Sequence, residues 1–170
     1  DVKAFDLVGQ GCAGALPNWQ LANALVASGG AEHVLSVCVE VCSAAMYLED
    51  DPGVLISACL FGDGAGAAVL SRAPPAHARR VQWRTSTSRT DPAEREALRF
   101  QSRAGMLRNV LTRAVPRLAA EAAHAVYADT LAREGLAAGA TSAWILHAGG
   151  RDVLLAVERR FDLAPGDLHL

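Results

Sequence analysis

Two short, almost uninterrupted apolar runs, Val34 to Val41 and Ala65 to Leu70, constrain this chain most. Each is far too short to span a bilayer as a helix, and each is bounded by turn-forming residues. Runs of this kind read as strands buried on both faces. Between and after them lie stretches with helical spacing. Leu16, Trp19, Leu21, Leu25 and Val26 recur on one face from Ala13 onward, with Ser28-Gly29-Gly30 as a stop. Leu98, Met106, Val110, Leu111, Val115, Leu118 and Val126 extend the same period from Glu94 to Leu136, with Pro116 as a kink or break. Val153, Leu154, Val157 and Phe161 resume it up to Pro165-Gly166.

Weaker strands are expected at Asp1 to Leu7, at Val81 to Thr87, and at Ser142 to Leu146, the last ending at His147. Gly9 to Gly14 is a small-residue turn, Glu49 to Gly53 a loop, and Ser71 to Arg79, with Pro74-Pro75, a linker. Strands alternating with longer helices predict an α/β fold with a largely parallel sheet.

With 51% hydrophobic and 20% charged residues over 170 positions, the chain has the balance of a folded protein. A net charge of −2 supplies no field that would recruit nucleic acid. No apolar run suggests a membrane partner, and the opening residues lack the pattern of an export signal, so a cytoplasmic location is expected. Cys12, Cys38, Cys42 and Cys59 lack the paired spacing of a zinc site, and in a chain of this size they read as reduced thiols. Neither a metal nor a flavin or nucleotide cofactor is indicated.

Two residues stand out chemically. Cys12 lies among Gly11, Ala13 and Gly14 where a presumed strand meets a helix. A thiol at a helix N-terminus faces unpaired N–H groups and the positive end of the dipole, which favour the thiolate. The same residue also suits a buried structural cysteine. His147 ends the short run Trp144-Ile145-Leu146 and precedes a glycine pair and a helix. At a strand's C-terminal end it can face a cleft above a sheet, or it can be a satisfied core histidine. His33, His77, His124 and His169 read as structural or solvated. Phe61-Gly62-Asp63-Gly64 marks a special backbone path: the aspartate can cap or fix a loop, and the phenylalanine can wall a pocket or fill core. Glu40, inside an apolar run, needs a partner or a structural hydrogen bond.

Taken together, these segments resemble the type III polyketide synthases, the chalcone and stilbene synthase family. The resemblance is carried by Gly9-Gln10-Gly11-Cys12-Ala13-Gly14, Val39-Glu40-Val41-Cys42-Ser43, Ala58-Cys59-Leu60-Phe61-Gly62-Asp63-Gly64-Ala65 and Trp144-Ile145-Leu146-His147-Ala148-Gly149-Gly150, which leads into Val157-Glu158-Arg159-Arg160-Phe161. Order and separation match the family, and nearly the whole chain is covered.

The resemblance implies a thiolase-like layered α/β/α fold, present in part. Residues 1–72 would be the later part of an N-terminal half carrying the nucleophile, and residues 73–170 most of a C-terminal half carrying the histidine. It implies Cys12 as the thiol that accepts a starter acyl group from coenzyme A. His147 would hold the thiolate and polarise the malonyl thioester. Phe61 corresponds to an aromatic gatekeeper, and Phe100 resembles a second cavity phenylalanine. Cys42 and Ala45 fall where the family varies its cavity wall, and Gly149 and Gly150 resemble the loop along the pantetheine. Acyl-CoA and malonyl-CoA are the implied partners, as substrates rather than cofactors, and the implied assembly is a homodimer.

Ala148 stands where the family usually has proline, and the family's Gly-Asn-Leu/Met-Ser-Ser motif does not occur in this chain. An incomplete sheet is therefore expected, with unpaired edges and exposed apolar surface, in a chain that is poorly soluble alone or depends on another chain. Two alternatives accompany the main reading. One is a condensing enzyme like ketoacyl synthase III, suited by Phe61 to Leu70 but not by the residues after His147. The other is a non-catalytic fragment that needs other segments to complete the fold.

Overall fold

A computed structural model describes residues 2–74, 76, 81–147, 149–164 and 167–168 of the chain. Pro75 and His77 of the expected linker, Ala148, the Pro165-Gly166 helix stop and His169 lie outside the described residues. The described elements form two units, one of residues 1–45 and 62–86, the other of residues 46–61 and 87–170. This division interleaves the two sequence halves.

In the first unit, the glycine-rich turn winds into a 3-10 turn at Gly11–Ala13, which runs directly into helix α1, Ala15–Ala27. Ser28 closes α1, and the Arg72 guanidinium adds a second closure by donating to the carbonyls of Val26 at 3.0 Å and Ala27 at 3.1 Å. Strand β1, His33–Glu40, pairs with β2, Gly64–Ser71, from His33 opposite Ser71 to Glu40 opposite Gly64. The pairing is antiparallel, which corrects the expected parallel arrangement. A connection as long as residues 41–63 can return a strand in either direction, so its length did not fix the orientation.

Burial of β1 on both faces is also corrected. Ser36 is buried on the side that shares a face with Val34 and Cys38, whereas Leu35 and Val39 on the opposite face are 65% and 63% exposed. Asn18 ties α1 to β1 by donating to the Val37 carbonyl at 3.1 Å. Trp19 meets Trp83 edge-to-face, with ring centroids 5.7 Å apart. Residues 2–7 and 81–87 carry no regular structure, against the two weak strands expected there.

The second unit holds helix α2, Pro52–Leu60, whose first two residues were expected in the loop Glu49 to Gly53. Asp51 caps it, accepting from the N–H groups of Gly53 and Val54, and Pro52 supplies the fixed φ that suits a first helical turn. Residues 98–111, read as helical, are instead the hairpin β3, Leu98–Arg103, and β4, Met106–Leu111. Ala104 and Gly105 between them have φ of 50° and 79°, the left-handed pair that a two-residue hairpin turn requires. Local turn geometry therefore overrode a coincidental helical period.

Helix α3, Val115–Glu134, carries Pro116 in its first turn rather than bending there, because a proline in that turn loses no helical hydrogen bond. Helix α4, Arg151–Phe161, packs on α3, with Val157 buried on α4 and Ala120 on α3. Residues 142–146 were expected as a strand and have no regular structure, with Ile145 99% exposed. No strand among the described residues pairs with them. No described helix is long and apolar enough to cross a membrane.

Candidate active site

The first unit brings together three of the expected site residues. Cys12 is exposed, in the middle of the 3-10 turn that feeds α1. Backbone bonds from Ala13 to the Gln10 carbonyl and from Gly14 to the Gly11 carbonyl, at 3.2 and 3.0 Å, hold that turn. No acidic residue stands in the first turn of α1.

Cys42 opens a second 3-10 turn, Cys42–Ala44, where the chain leaves β1. Ala45 closes it by donating to the Cys42 carbonyl at 3.1 Å. Partial burial pushes the Cys42 thiol above its ordinary value, and the Glu40 and Asp63 carboxylates push it further; Cys12 adds a smaller effect of the same sign. Cys12 and Cys42 therefore lie within electrostatic range of each other. Asp63 is held below the usual carboxylate range because the Ser43 hydroxyl and backbone N–H both donate to it. All four cysteines are free, and the described residues include no group of three His, Cys, Asp or Glu side chains able to hold a metal ion.

The other expected residues belong to the second unit. Phe61 caps the C-terminus of α2 through its N–H to the Ser57 carbonyl, at 2.9 Å, and is half-buried. His147 is exposed in the loop that leads to α4. That loop is tight: the Gly149 N–H reaches the His147 carbonyl at 2.9 Å, and a side chain at Gly149 would lie 3.3 Å from the imidazole Cδ2. Gly150 faces Leu60, so the loop after His147 lies against the end of α2 that Phe61 caps. Phe100 stands on β3, opposite Asn109 and 60% exposed.

What fixes the approach to His147 is an aromatic cluster that sequence reasoning had not assembled. Trp144 packs against Tyr127 of α3 and Phe161 of α4, with centroids 5.0 and 5.2 Å away. The Tyr127 hydroxyl donates to the Ala138 carbonyl at 2.9 Å and lies 2.8 Å from the Thr141 hydroxyl. His124 meets the Phe161 ring edge-on at 5.4 Å, in keeping with a structural role. Anchors on both sides of residues 142–146 hold this segment where a strand's ladder would otherwise do so. Ser43 was likewise missed. Its part was legible only once the strand register had set Asp63 beside it.

A family model described as 3-oxoacyl-[acyl-carrier-protein (ACP)] synthase III matches residues 5–92, just over half of the chain. The chain belongs to that family. Over nearly its whole length it is similar to 1,3,6,8-tetrahydroxynaphthalene synthase of Streptomyces peucetius subsp. caesius, with 28% identity over 171 residues, covering 99% of this chain and 45% of that protein.

The fold matches the crystal structure of PKS-I from the brown alga Ectocarpus siliculosus, with a TM-score of 0.77 and 21% identity over 90% of this chain and 41% of that one. It also matches the C-terminal type III polyketide synthase domain of Steely1 from Dictyostelium, with a TM-score of 0.70 and 20% identity over 91% of this chain and 45% of that one. The resemblance to type III polyketide synthases is borne out, and the fold is the thiolase-like α/β arrangement, in part. The chain spans less than half the length of these relatives.

Proposed function

We propose that this chain is the segment of a type III polyketide synthase that carries the acyl-accepting thiol. In the first step the Cys12 thiolate attacks the carbonyl of a starter acyl-CoA; the carbon–sulfur bond to Cys12 forms and coenzyme A leaves as its thiol. In the second, malonyl-CoA loses carbon dioxide, and the resulting enolate attacks the Cys12 thioester. A carbon–carbon bond forms and the Cys12 thiolate departs. His147 is assigned as the imidazole that steadies the thiolate and donates to the enolate oxygen. Phe61, Phe100, Cys42 and Ala45 are assigned to the walls of the acyl cavity, Gly149 and Gly150 to the pantetheine, and the working assembly to a homodimer.

The observation that carries this reading is the placement of Cys12: an exposed thiol in a tight turn that runs straight into a helix N-terminus, within a chain of which 99% aligns with a 1,3,6,8-tetrahydroxynaphthalene synthase. The test is whether a starter acyl-CoA loads Cys12 and whether malonyl-CoA then extends it. A second reading, condensation with malonyl on an acyl carrier protein, is favoured by the family model over residues 5–92. Extension from malonyl-CoA without carrier protein supports the first reading; extension from the carrier alone supports the second.

A further inference from the structure

In the β1–β2 register Glu40 faces Gly64, so Asp63 lies just beyond the last rung of the ladder, beside the turn by which the chain leaves β1. Its carboxylate accepts two hydrogen bonds from a single residue. Oδ1 takes the Ser43 backbone N–H at 2.8 Å, and Oδ2 takes the Ser43 hydroxyl at 2.5 Å. Bonds to an ionised acceptor are short and strong, and two from one residue fix orientation as well as distance. The residue so held is the middle of the turn that begins with Cys42 and is closed by Ala45.

We propose that Asp63 is a positioning residue of the acyl site: by clamping Ser43 it sets the depth at which Cys42 and Ala45 wall the cavity near Cys12. This rests on the reading that Cys42 and Ala45 line that cavity. The clamp has an electrostatic consequence as well. Besides partial burial, the groups acting on Cys42 are Glu40 at the end of β1, Asp63 ahead of β2, and Cys12 in the first turn, and all three disfavour its thiolate. On this proposal Cys42 serves as wall and Cys12 as the sulfur that carries the acyl group.

The test is carbamidomethylation of the four cysteines in this chain from about pH 6 to about pH 10, followed by peptide mass mapping. Asp63→Asn keeps an oxygen for the Ser43 N–H and an amide donor for its hydroxyl, but removes the charge. It should move the Cys42 profile to lower pH and speed its reaction near neutrality about threefold, while Cys12 keeps its rate. Asp63→Ala also frees the turn, so Cys42 should react about threefold or more faster even where every thiol is ionised.

Ser43→Ala keeps the backbone bond and should fall between Asp63→Ala and the parent chain, which leaves a readout if Asp63→Ala fails to fold. An unchanged Cys42 profile in Asp63→Asn and Ser43→Ala, or equal acceleration of all four cysteines, would overturn the proposal. Alkylation needs no acyl substrate, so the outcome is separable from any failure of the condensing reaction.

Discussion

At Gly53, the second residue of α2, there is no room for a side chain. A Cβ there would run into the backbone carbonyl of Asn109 on β4, which means that helix and hairpin meet backbone to backbone. A rigid carbonyl cannot swing aside as a side-chain tip can, so Gly53→Ala should force the two elements apart. The expected loss is about 1–3 kcal/mol, read as a lower urea midpoint with an unchanged slope. Such a contact cannot be foreseen from a Pro-Gly pair, which reads equally well as a loop; it becomes visible only when the partner strand is placed. Cys12 shows the opposite case. Its small neighbours and the helical spacing that follows were local signals, and the thiol stands at the helix start that they implied. Phe100 was carried by resemblance alone, inside a stretch whose period pointed to the wrong element.

At the scale of elements, α2 is fastened to the β3–β4 hairpin through one carboxylate. Asp51 caps α2 and receives Arg108 of β4 at 2.6 Å, while Arg108 also donates to Gln101 across the hairpin at 2.9 Å. Desolvation works against the ionised form of Asp51, but the N–H groups of Val54 and Gly53 and the Arg108 charge outweigh it and hold the carboxyl below its ordinary range. A depressed carboxylate contributes stability that is present above its unfolded pKa and is lost as pH falls through the lower folded value. Urea melts taken at stepwise lower pH should therefore lose stability through and below the ordinary carboxylate range, and Asp51→Asn should flatten that acid limb. An unchanged limb in the variant would remove Asp51 from the account. The elements legible in the sequence were those with strong local marks: α1, β1, β2 and α4. The hairpin was hidden because Leu98, Val110 and Leu111 happen to fit a helical repeat, while the decisive feature was a left-handed Ala104-Gly105 pair.

At the scale of the whole chain, the first unit leaves one face of its two-stranded sheet uncovered. Leu35, Val37, Val39 and Val69 all stand exposed on β1 and β2. A contiguous apolar face of that kind drives association in water. The expected outcome is a chain that binds a hydrophobic dye and self-associates, whereas Leu35→Thr with Val37→Thr, chosen to keep strand propensity, reduces both; sedimentation velocity reads the change. Exposed apolar surface was anticipated, but which face would carry it required the antiparallel register.

The central claim, that Cys12 is the acyl-accepting thiol, is tested most directly by incubating the chain with a starter acyl-CoA and locating any thioester by intact mass and peptide mapping. Cys59 is exposed as well and serves as an internal control for accessibility alone. A single acyl group on Cys12, abolished in Cys12→Ala, is the predicted result. Acylation of Cys59 at a comparable rate, or no acylation of Cys12, would contradict the account.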